Sequence, residues 1–436
     1  MTVPKPKAKP KAKLKPSSAA QWLAYIESLH PKSIAMGLDR VQAVADKLQL
    51  KSNFAIITVA GTNGKGSVCA MLNHIYTTAG HRVGCYTSPH LIKYNERVCV
   101  NLKPISDDDL CAAFAAVEAA RGNVALTYFE MGTLAAMWHF CRQQLDIVIL
   151  EVGLGGRLDA VNIFEPNCAI VTAVDLDHME YLGDTREKIG FEKAGIFRAG
   201  TLAICGDDNP PQSLLDYAKK IGANLALINR DFSINKLAKG WQYVAGNLQI
   251  ELPNLGLIGD FQANNAACAL HAAAQLQALL PTSQTSIHQG LAQVNLAGRF
   301  QKISANPHII ADVAHNPQAA KSLAHNLQKT PCTGRTLAVF AMLADKDING
   351  VISAVKSHID AWYLADIDAL RGAKALNLQI ALDGQGVKKP VQMYANVATA
   401  LAAACKKANK NDRIIVFGSF YTVADALAYT HQHLNI

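Results

Sequence analysis

Long hydrophobic runs are absent from this sequence, and their absence argues against a membrane-spanning helix. No stretch reaches the roughly 20 consecutive apolar residues that a bilayer requires. The N-terminal residues also lack the apolar segment of a secretory signal peptide. Half of the residues are hydrophobic and 17% are charged, which is an ordinary balance for a soluble enzyme. We therefore expect a cytoplasmic protein without a membrane partner.

Cysteine pairs at the spacing of metal or redox motifs are absent as well. The ten cysteines are scattered through apolar contexts, and none forms a CxxC pair. This pattern argues against both a disulfide framework and a cysteine-rich zinc site. We expect ten reduced thiols that pack as small hydrophobic side chains.

Acidic residues and arginine are missing from residues 1–18, which contain six lysines among proline and alanine. Such a segment cannot bury a core and repels itself, so we predict a disordered basic tail. Without these lysines the chain has 36 basic and 34 acidic side chains, and its body is nearly neutral. The tail could contact nucleic acid or acidic lipid, but we favour a solvated extension and expect no nucleic-acid partner.

A glycine-rich turn between an apolar run and a helix is the most informative stretch of the chain. Residues 54–72 read FAIITVAGTNGKGSVCAML. The backbone amides of such a turn converge on one point, where they can bind a phosphate. The helix dipole and Lys65 add positive charge at that point, and the Ser67 hydroxyl can reach a bound Mg²⁺. The strict Walker A spacing is not met, so an ordinary glycine turn remains the alternative. We favour a phosphate-binding loop formed by Gly61, Thr62, Asn63, Gly64, Lys65, Gly66 and Ser67.

Two further buried strands are each followed by a polar residue of chemical interest. The run 146–150 leads into Glu151, and the run 168–174 leads into a loop that contains His178. Ligands of open parallel sheets bind beyond the carboxyl ends of the strands. Either residue alone reads as a capping acid or a surface histidine. Their shared position after consecutive strands instead predicts ligands for a metal bound to the phosphates.

The length of 436 residues favours two domains over one core. Strands alternating with helices predict an α/β fold: an N-terminal P-loop-type ATPase domain with a mostly parallel sheet, followed by a smaller Rossmann-like C-terminal domain. The C-terminal strands are predicted at 308–313, 336–342, 361–365 and 413–417. We place the domains at residues 19–297 and 298–436.

Eight motifs in one order resemble the folylpolyglutamate synthase family of the Mur-ligase superfamily. They are GTNGKGS, TSPHL with YNERV, TYFE, EVGLGGRLDA, DHMEYLG, FEKAGIFR, GRFQ and DVAHNP, and they cover nearly everything from residue 20 onward. TYFE together with GLDRV resembles the bifunctional members, which are both dihydrofolate synthase and folylpolyglutamate synthase. The resemblance implies an ATP- and Mg²⁺-dependent ligase that is a monomer. It phosphorylates a carboxylate of 7,8-dihydropteroate or of a reduced folate, and the amine of L-glutamate then attacks the acyl phosphate.

The resemblance also implies ligands for two Mg²⁺ ions. Ser88 and Glu151 would bind the first ion, with Ser67 close to the phosphates. His178 and Lys193 would bind the second, and in the family this lysine is carbamylated, which turns a cation without acceptor atoms into an oxygen ligand. Without the resemblance, Lys193 reads as a solvated helix residue.

Further residues receive roles from the resemblance alone. Asn265 is implied to bind adenine, and Arg299, in the hinge, to bind a phosphate. Catalysis is assigned to Lys65, Lys193, Asp312 and His315, of which the last two reach across the cleft to the nucleotide. Asp345 is placed on the glutamate or ATP side.

The resemblance predicts that the pterin pocket uses the 30–41 loop and the TYFE motif. The implied residues are Gly37, Leu38, Asp39, Arg40, Phe129 and Glu130, and the ring of Phe129 suits stacking on a flat pterin. Two other functions stay open, namely another amino-acid ligase of the superfamily and a nucleotide-dependent switch. A switch would leave Glu151, His178 and Lys193 without a role.

Overall fold

The computed structural model describes residues 16–31 and 34–433. Residues 1–15 of the predicted disordered tail and residues 32–33 of the predicted pterin loop lie outside the described residues. Within the described ranges, no helix combines the length and the apolar character needed to cross a bilayer.

The N-terminal part alternates strands and helices around one large sheet. Its strands are β1 Ala55–Ala60, β2 Val83–Tyr86, β3 Val98–Val100, β4 Lys103–Pro104, β5 Ile147–Glu151, β6 Cys168–Val171, β7 Leu202–Cys205, β8 Asn224–Leu227, β9 Ser233–Lys236, β10 Trp241–Ala245 and β11 Leu248–Leu252. Its helices are α1 Ala19–Glu27, α2 Asp39–Leu48, α3 Lys65–Thr78, α4 Asp107–Arg121, α5 Tyr128–Phe140, α6 Met179–Leu182, α7 Arg186–Ala194, α8 Gln212–Ile221, α9 Phe261–Gln275 and α10 Gln284–Gln293.

Eight strands form the large sheet in the order β4-β3-β2-β5-β1-β6-β7-β8, and only the β3 and β4 pairings are antiparallel. The prediction of a mostly parallel sheet is therefore confirmed. Every residue of β1 is buried, because helices cover both faces of the sheet. Val59 of β1 pairs with Glu151 of β5 and with Ile170 of β6, so the ends of these three strands meet at one edge.

A three-stranded antiparallel sheet of β9, β10 and β11 was not predicted. Its strands are short, and most of their residues are at least partly exposed, which leaves little apolar signal in the sequence. Tyr243 of β10 is buried, and its hydroxyl lies 2.9 Å from Nδ1 of His271 on α9. This contact attaches the small sheet to the helix layer.

The C-terminal part is a second, smaller α/β unit, as predicted. Its six-stranded sheet has the order β12-β13-β17-β14-β15-β16, and β12 is antiparallel to β13. Its strands are β12 Gln301–Ala305, β13 His308–Asp312, β14 Thr336–Phe340, β15 Ala361–Ala365, β16 Val391–Tyr394 and β17 Arg413–Phe417. Its helices are α11 Pro317–Lys329, α12 Ile348–Val355, α13 Ala375–Gly384, α14 Val397–Lys407 and α15 Phe420–His433.

The two units meet at Gly298, which precedes β12. Gly298 has φ +72°, and its carbonyl accepts a hydrogen bond of 2.9 Å from the amide of Val313. A Cβ atom at this position would lie 2.8 Å from Cγ1 of Val313, so a larger residue would not fit. The close approach brings the carboxyl end of β13 to the same cleft as the ends of β1, β5 and β6.

Candidate active site

A cleft of about 1690 Å³ lies between the two α/β units. Its walls carry most of the residues that the sequence singled out, including the glycine loop and both pairs of implied metal ligands. The predicted residues that line it are Gly61–Ser67, Ser88, Phe129, Glu130, Glu151, His178, Lys193, Asn265, Arg299, Asp312 and His315. The predicted residues that do not line it are Gly37, Leu38, Asp39, Arg40 and Asp345.

The glycine loop is fixed by contacts that exclude larger residues. Gly61 and Gly64 have φ +151° and +91°. A Cβ atom on Gly61 would lie 1.9 Å from Oγ1 of Thr172, and one on Gly64 would lie 2.5 Å from Oδ1 of Asn265. Helix α3 begins at Lys65, whose Nζ donates to the carbonyls of Gly61 and Thr62 at 2.9 and 3.2 Å. The loop thus presents a helix N-terminus and one ammonium group to the cleft.

Oxygen atoms converge beside this loop. The Glu151 side chain at the end of β5 is buried, and its Oε2 accepts a 3.1 Å hydrogen bond from the amide of Ser88. Burial raises the pKa of Glu151, whereas Lys65, the Ser88 amide and Arg299 lower it. Ser67, in the first turn of α3, is also buried. Carboxylate and hydroxyl oxygens are the ligand types that Mg²⁺ prefers.

The burial of Lys193 contradicts the reading of this residue as a solvated helix residue. It is only 4% exposed, not solvated, and no hydrogen bond joins its ammonium to another residue of the described chain. Burial, and then the charge of Lys65, lowers the pKa of Lys193 to about 7. A substantial fraction of this side chain is therefore a neutral amine near neutral pH.

His178 lies at the N-terminus of α6 in the left-handed region, with φ +51°. Burial lowers the pKa of His178 to about 4, despite the opposing effect of Asp177. Its imidazole is neutral at physiological pH, and neutral imidazole is the form that binds metal ions.

An ion pair that the sequence analysis missed connects the two units across the cleft. Nζ of Lys346, from the loop after β14, lies 2.6 Å from Oδ1 of Asp177 and 3.4 Å from Nε2 of His178. The side chains of Lys346 and Asp177 are only 9% and 12% exposed. Although burial raises the pKa of Asp177, His178, Lys346 and His315 together hold it below its ordinary value. The DLDH and ADKD strings contain both residues, but nothing in them indicates that they pair.

The phosphate loop is also bonded to the C-terminal unit. Asn63 and Asn316 exchange two amide hydrogen bonds, of 3.2 and 3.0 Å, and Asn63 also donates to Oε1 of Gln318. Asn316 caps α11 by accepting from the amide of Ala319 at 2.9 Å. These hydrogen bonds fix the position of the phosphate loop relative to the N-terminus of α11.

Arg299, Asp312 and His315 lie on the C-terminal side of the cleft. Asp312 accepts 2.8 Å hydrogen bonds from the amides of Phe300 and Ala314. Burial lowers the pKa of Arg299, and the carboxylates of Asp312 and Glu151 act in the opposite direction, so the guanidinium interacts with an acid from each unit. Nδ1–H of His315 donates a 2.8 Å hydrogen bond to the carbonyl of Val313, which leaves Nε2 facing Asp177 at 3.8 Å.

Of the predicted pterin residues, Phe129 and Glu130 line the cleft, whereas residues 37–40 lie outside its lining and are half-buried or exposed. Oε2 of Glu130 accepts from the amide of Thr127 at 2.7 Å, and Oε1 lies 3.0 Å from Nη2 of Arg40. These contacts give Glu130 and Arg40 structural partners. The Phe129 ring packs so closely on Gly153 that a Cβ atom there would lie 2.6 Å from it. Asp345, outside the cleft lining, accepts from Nη1 of Arg371 at 2.8 Å, and its role stays a prediction.

Comparison with known proteins identifies the class that this fold and cleft define. The Mur ligase middle domain matches residues 59–273, and the Mur ligase glutamate ligase domain matches residues 298–420. The two matches together define the chain as a two-part Mur-type ligase.

Full-length relatives define the family within this class. The chain is 44% identical to dihydrofolate synthase/folylpolyglutamate synthase of Escherichia coli, over 94% of this chain and 95% of that protein. It is 40% identical to the Haemophilus influenzae protein of the same name, over 94% of this chain and 97% of the relative. The chain belongs to the dihydrofolate synthase/folylpolyglutamate synthase family.

Solved structures agree with this assignment. Escherichia coli FolC in complex with DHPP and ADP superimposes with a TM-score of 0.91 at 42% identity, over 97% of this chain and 100% of that one. A bifunctional folylpolyglutamate synthase/dihydrofolate synthase with Mn, AMPPNP and L-glutamate bound has a TM-score of 0.88 at 42% identity, over 95% and 98% of the two chains.

Proposed function

We propose that this chain is an ATP-dependent ligase that joins L-glutamate to 7,8-dihydropteroate and to reduced folates through an acyl phosphate. The observation that carries the proposal is the single cleft in which the phosphate loop, the Glu151 and Lys193 groups and the C-terminal cluster of Asp312 and His315 face one another. Related structures that hold ADP, AMPPNP, Mn, DHPP or L-glutamate support it. A nucleotide-dependent switch would not require the C-terminal cluster.

ATP and Mg²⁺ are the cofactors of the proposed reaction. The amides of residues 61–67 and the ammonium of Lys65 hold the triphosphate. Ser67, Ser88 and Glu151 would hold one Mg²⁺, and His178 and Lys193 a second. The described residues contain no cluster of three or more His, Cys, Asp or Glu that could hold a metal ion, so each ion would also need oxygen ligands from the nucleotide, from serine or from the modified lysine. When bound, Mg²⁺ neutralises charge on the transferring phosphoryl group.

Lys193 is proposed to act as a carbamate. Its neutral amine attacks CO₂, a new N–C bond forms, and one proton leaves to solvent. The product is a carboxylate-like anion in place of an ammonium that Mg²⁺ would repel. The lowered pKa of Lys193, about 7, and its lack of a hydrogen-bond partner in the described chain support this chemistry.

Two steps then form the amide. The substrate carboxylate attacks the γ-phosphorus and displaces ADP, while Lys65 and Arg299 stabilise the charge that develops. The amine of L-glutamate next attacks the acyl carbon and expels inorganic phosphate. Asp312, fixed by two backbone amides, places the incoming amine, and His315 contacts the nucleotide from the same side. Asn265, whose Oδ1 approaches Gly64, binds the adenine.

The pterin is proposed to bind between the 30–41 loop and Phe129. Ala35 and Met36 from the loop line the cleft with Phe129, which supports this location. We further propose a domain boundary at 297/298, beside the Gly298 junction, and a monomer, since one chain supplies both walls of the cleft. The ten free cysteines support a reducing, cytoplasmic setting.

One assay tests the proposed function. Purified protein receives ATP, Mg²⁺, L-glutamate and either 7,8-dihydropteroate or a reduced folate, and product masses are measured. We expect products that are heavier by one glutamyl residue, and ADP release only when both co-substrates are present. ATP hydrolysis that needs neither of them would indicate a switch and contradict the proposal.

A further inference from the structure

The cleft continues past the phosphate loop as a slot between two helices, one from each unit. Gln318, Ser322 and Asn326 follow one another at four-residue spacing on α11 and line one wall. Phe261 and Asn265 of α9 line the opposite wall. Gln318 contacts the phosphate loop through Asn63, so the slot begins at the phosphates and runs along α11 to Asn326.

Asn326 is an unusual residue at the far end of this slot. It is only 3% exposed, and its Nδ2 finds no hydrogen-bond partner within the described part of the chain. Its Oδ1 would lie 3.0 Å from a Cβ atom on Gly259, which places the amide against the start of α9. Buried amide donors without a partner are costly and rare, so this one calls for an acceptor.

Contacts between the two units fix the position of Asn326. Asp260, at the N-terminus of α9, accepts from Nε2 of His325 at 3.1 Å and from Nζ of Lys329. Both donors lie on α11, on either side of Asn326. These contacts hold α11 against α9, so the helix cannot easily turn and carry the Asn326 amide out of the slot.

We propose that Asn326 is a specificity-determining residue that binds the base of ATP from the C-terminal unit. The inference rests on the proposed function, because it takes ATP as the nucleotide. With the triphosphate on the glycine loop, the slot is the space next to it that continues between α9 and α11. Adenine offers ring nitrogens that accept a hydrogen bond from Nδ2, and Phe261, a residue that is 38% exposed, offers an apolar surface. Adenine thus contacts both units at once and links nucleotide binding to their closure.

Calorimetric binding of AMPPNP in the presence of Mg²⁺ tests the inference without requiring turnover. Asn326→Leu removes the donor at similar volume, and Gln328→Leu makes the same change at an exposed position of the same helix. We expect Asn326→Leu to weaken binding about 10-fold. Its melting temperature should be unchanged or higher, because the variant also removes an unpaired buried amide. The control should leave the affinity unchanged.

Base analogues identify the accepting atom. Each of 1-deaza-, 3-deaza- and 7-deaza-ATP lacks one ring nitrogen, and wild type should bind one of the three about 10-fold more weakly than it binds ATP. Asn326→Leu should bind that analogue and ATP with equal affinity, because the variant has already lost the hydrogen bond. The inference would be overturned if Asn326→Leu bound AMPPNP as tightly as wild type. It would also be overturned if the loss from the substitution added to the loss from every one of the three analogues. A loss from the substitution that disappeared with 2′-deoxy-ATP would point to the ribose instead of the base and would overturn it as well. Wild-type protein that binds AMPPNP but forms no amide would instead overturn the proposed function and leave the inference standing.

Discussion

Replacing Lys346 with methionine should open the cleft, because its ammonium makes the shortest polar contact between Asp177 and the C-terminal unit. The Lys346–Asp177 distance is 2.6 Å, and both side chains are almost fully buried. Removing one partner of such a pair costs about 2 to 5 kcal/mol. His315 and Asn316 also approach Asp177, at 3.8 and 3.5 Å, so we expect the lower end of this range. About 2 kcal/mol corresponds to a roughly 30-fold shift toward the open form.

Small-angle X-ray scattering and steady-state kinetics measure this shift. Lys346→Met should increase the radius of gyration of the free protein and lower kcat/KM for dihydropteroate, with the roughly 30-fold shift as the upper limit of that loss. The control is Asp412→Asn, which weakens an ion pair inside the C-terminal unit, where the buried carboxylate of Asp412 lies 2.7 Å from the half-exposed side chain of Arg335. This control should lower the melting temperature and leave the scattering profile unchanged. A Lys346→Met protein that keeps the wild-type profile and kcat/KM would refute the role of the pair in closure.

Three further substitutions test individual parts of the site. Lys65→Ala should lower kcat by about 100-fold or more while the protein stays folded, because it removes the only side-chain cation of the phosphate loop; a loss below tenfold would contradict the assignment of that loop. Lys193→Ala should be folded and nearly inactive. In wild type the ¹³C-carbamate signal from labelled bicarbonate should grow as pH rises through about 7, since only the neutral amine reacts. An absent signal would exclude the carbamate, and a signal that does not change with pH would contradict the lowered pKa of Lys193. Phe129→Ala should impair dihydrofolate formation more than glutamate addition to a longer folate, and equal losses would show that Phe129 only packs in the core.

The parts of the site that the sequence predicted are those encoded by consecutive residues. The glycine loop, Glu151 and His178 each follow an apolar run, and parallel strands place such positions at one edge. The pairing of Val59 with Glu151 and Ile170 has this geometry. Strand ends are therefore predictable from local pattern alone.

Burial and long-range pairing were not predictable in this way. The Lys193 side chain reads as exposed on a charged helix, yet tertiary packing against the cleft buries it. Asp177 and Lys346 are 169 residues apart and pair only because the two sheets face one another. The small antiparallel sheet lacks the long apolar runs that marked the other strands. Each of these features is set by how separate elements pack, which local sequence does not record.

The acyl phosphate is the central claim, and an isotope-transfer measurement tests it most directly. Dihydropteroate carrying ¹⁸O in its carboxylate is incubated with ATP, Mg²⁺, L-glutamate and the enzyme, and the inorganic phosphate is analysed by mass spectrometry. If the carboxylate attacks the γ-phosphorus and phosphate later leaves the acyl carbon, each inorganic phosphate carries one ¹⁸O atom. Dihydrofolate formed together with unlabelled phosphate would contradict the mechanism.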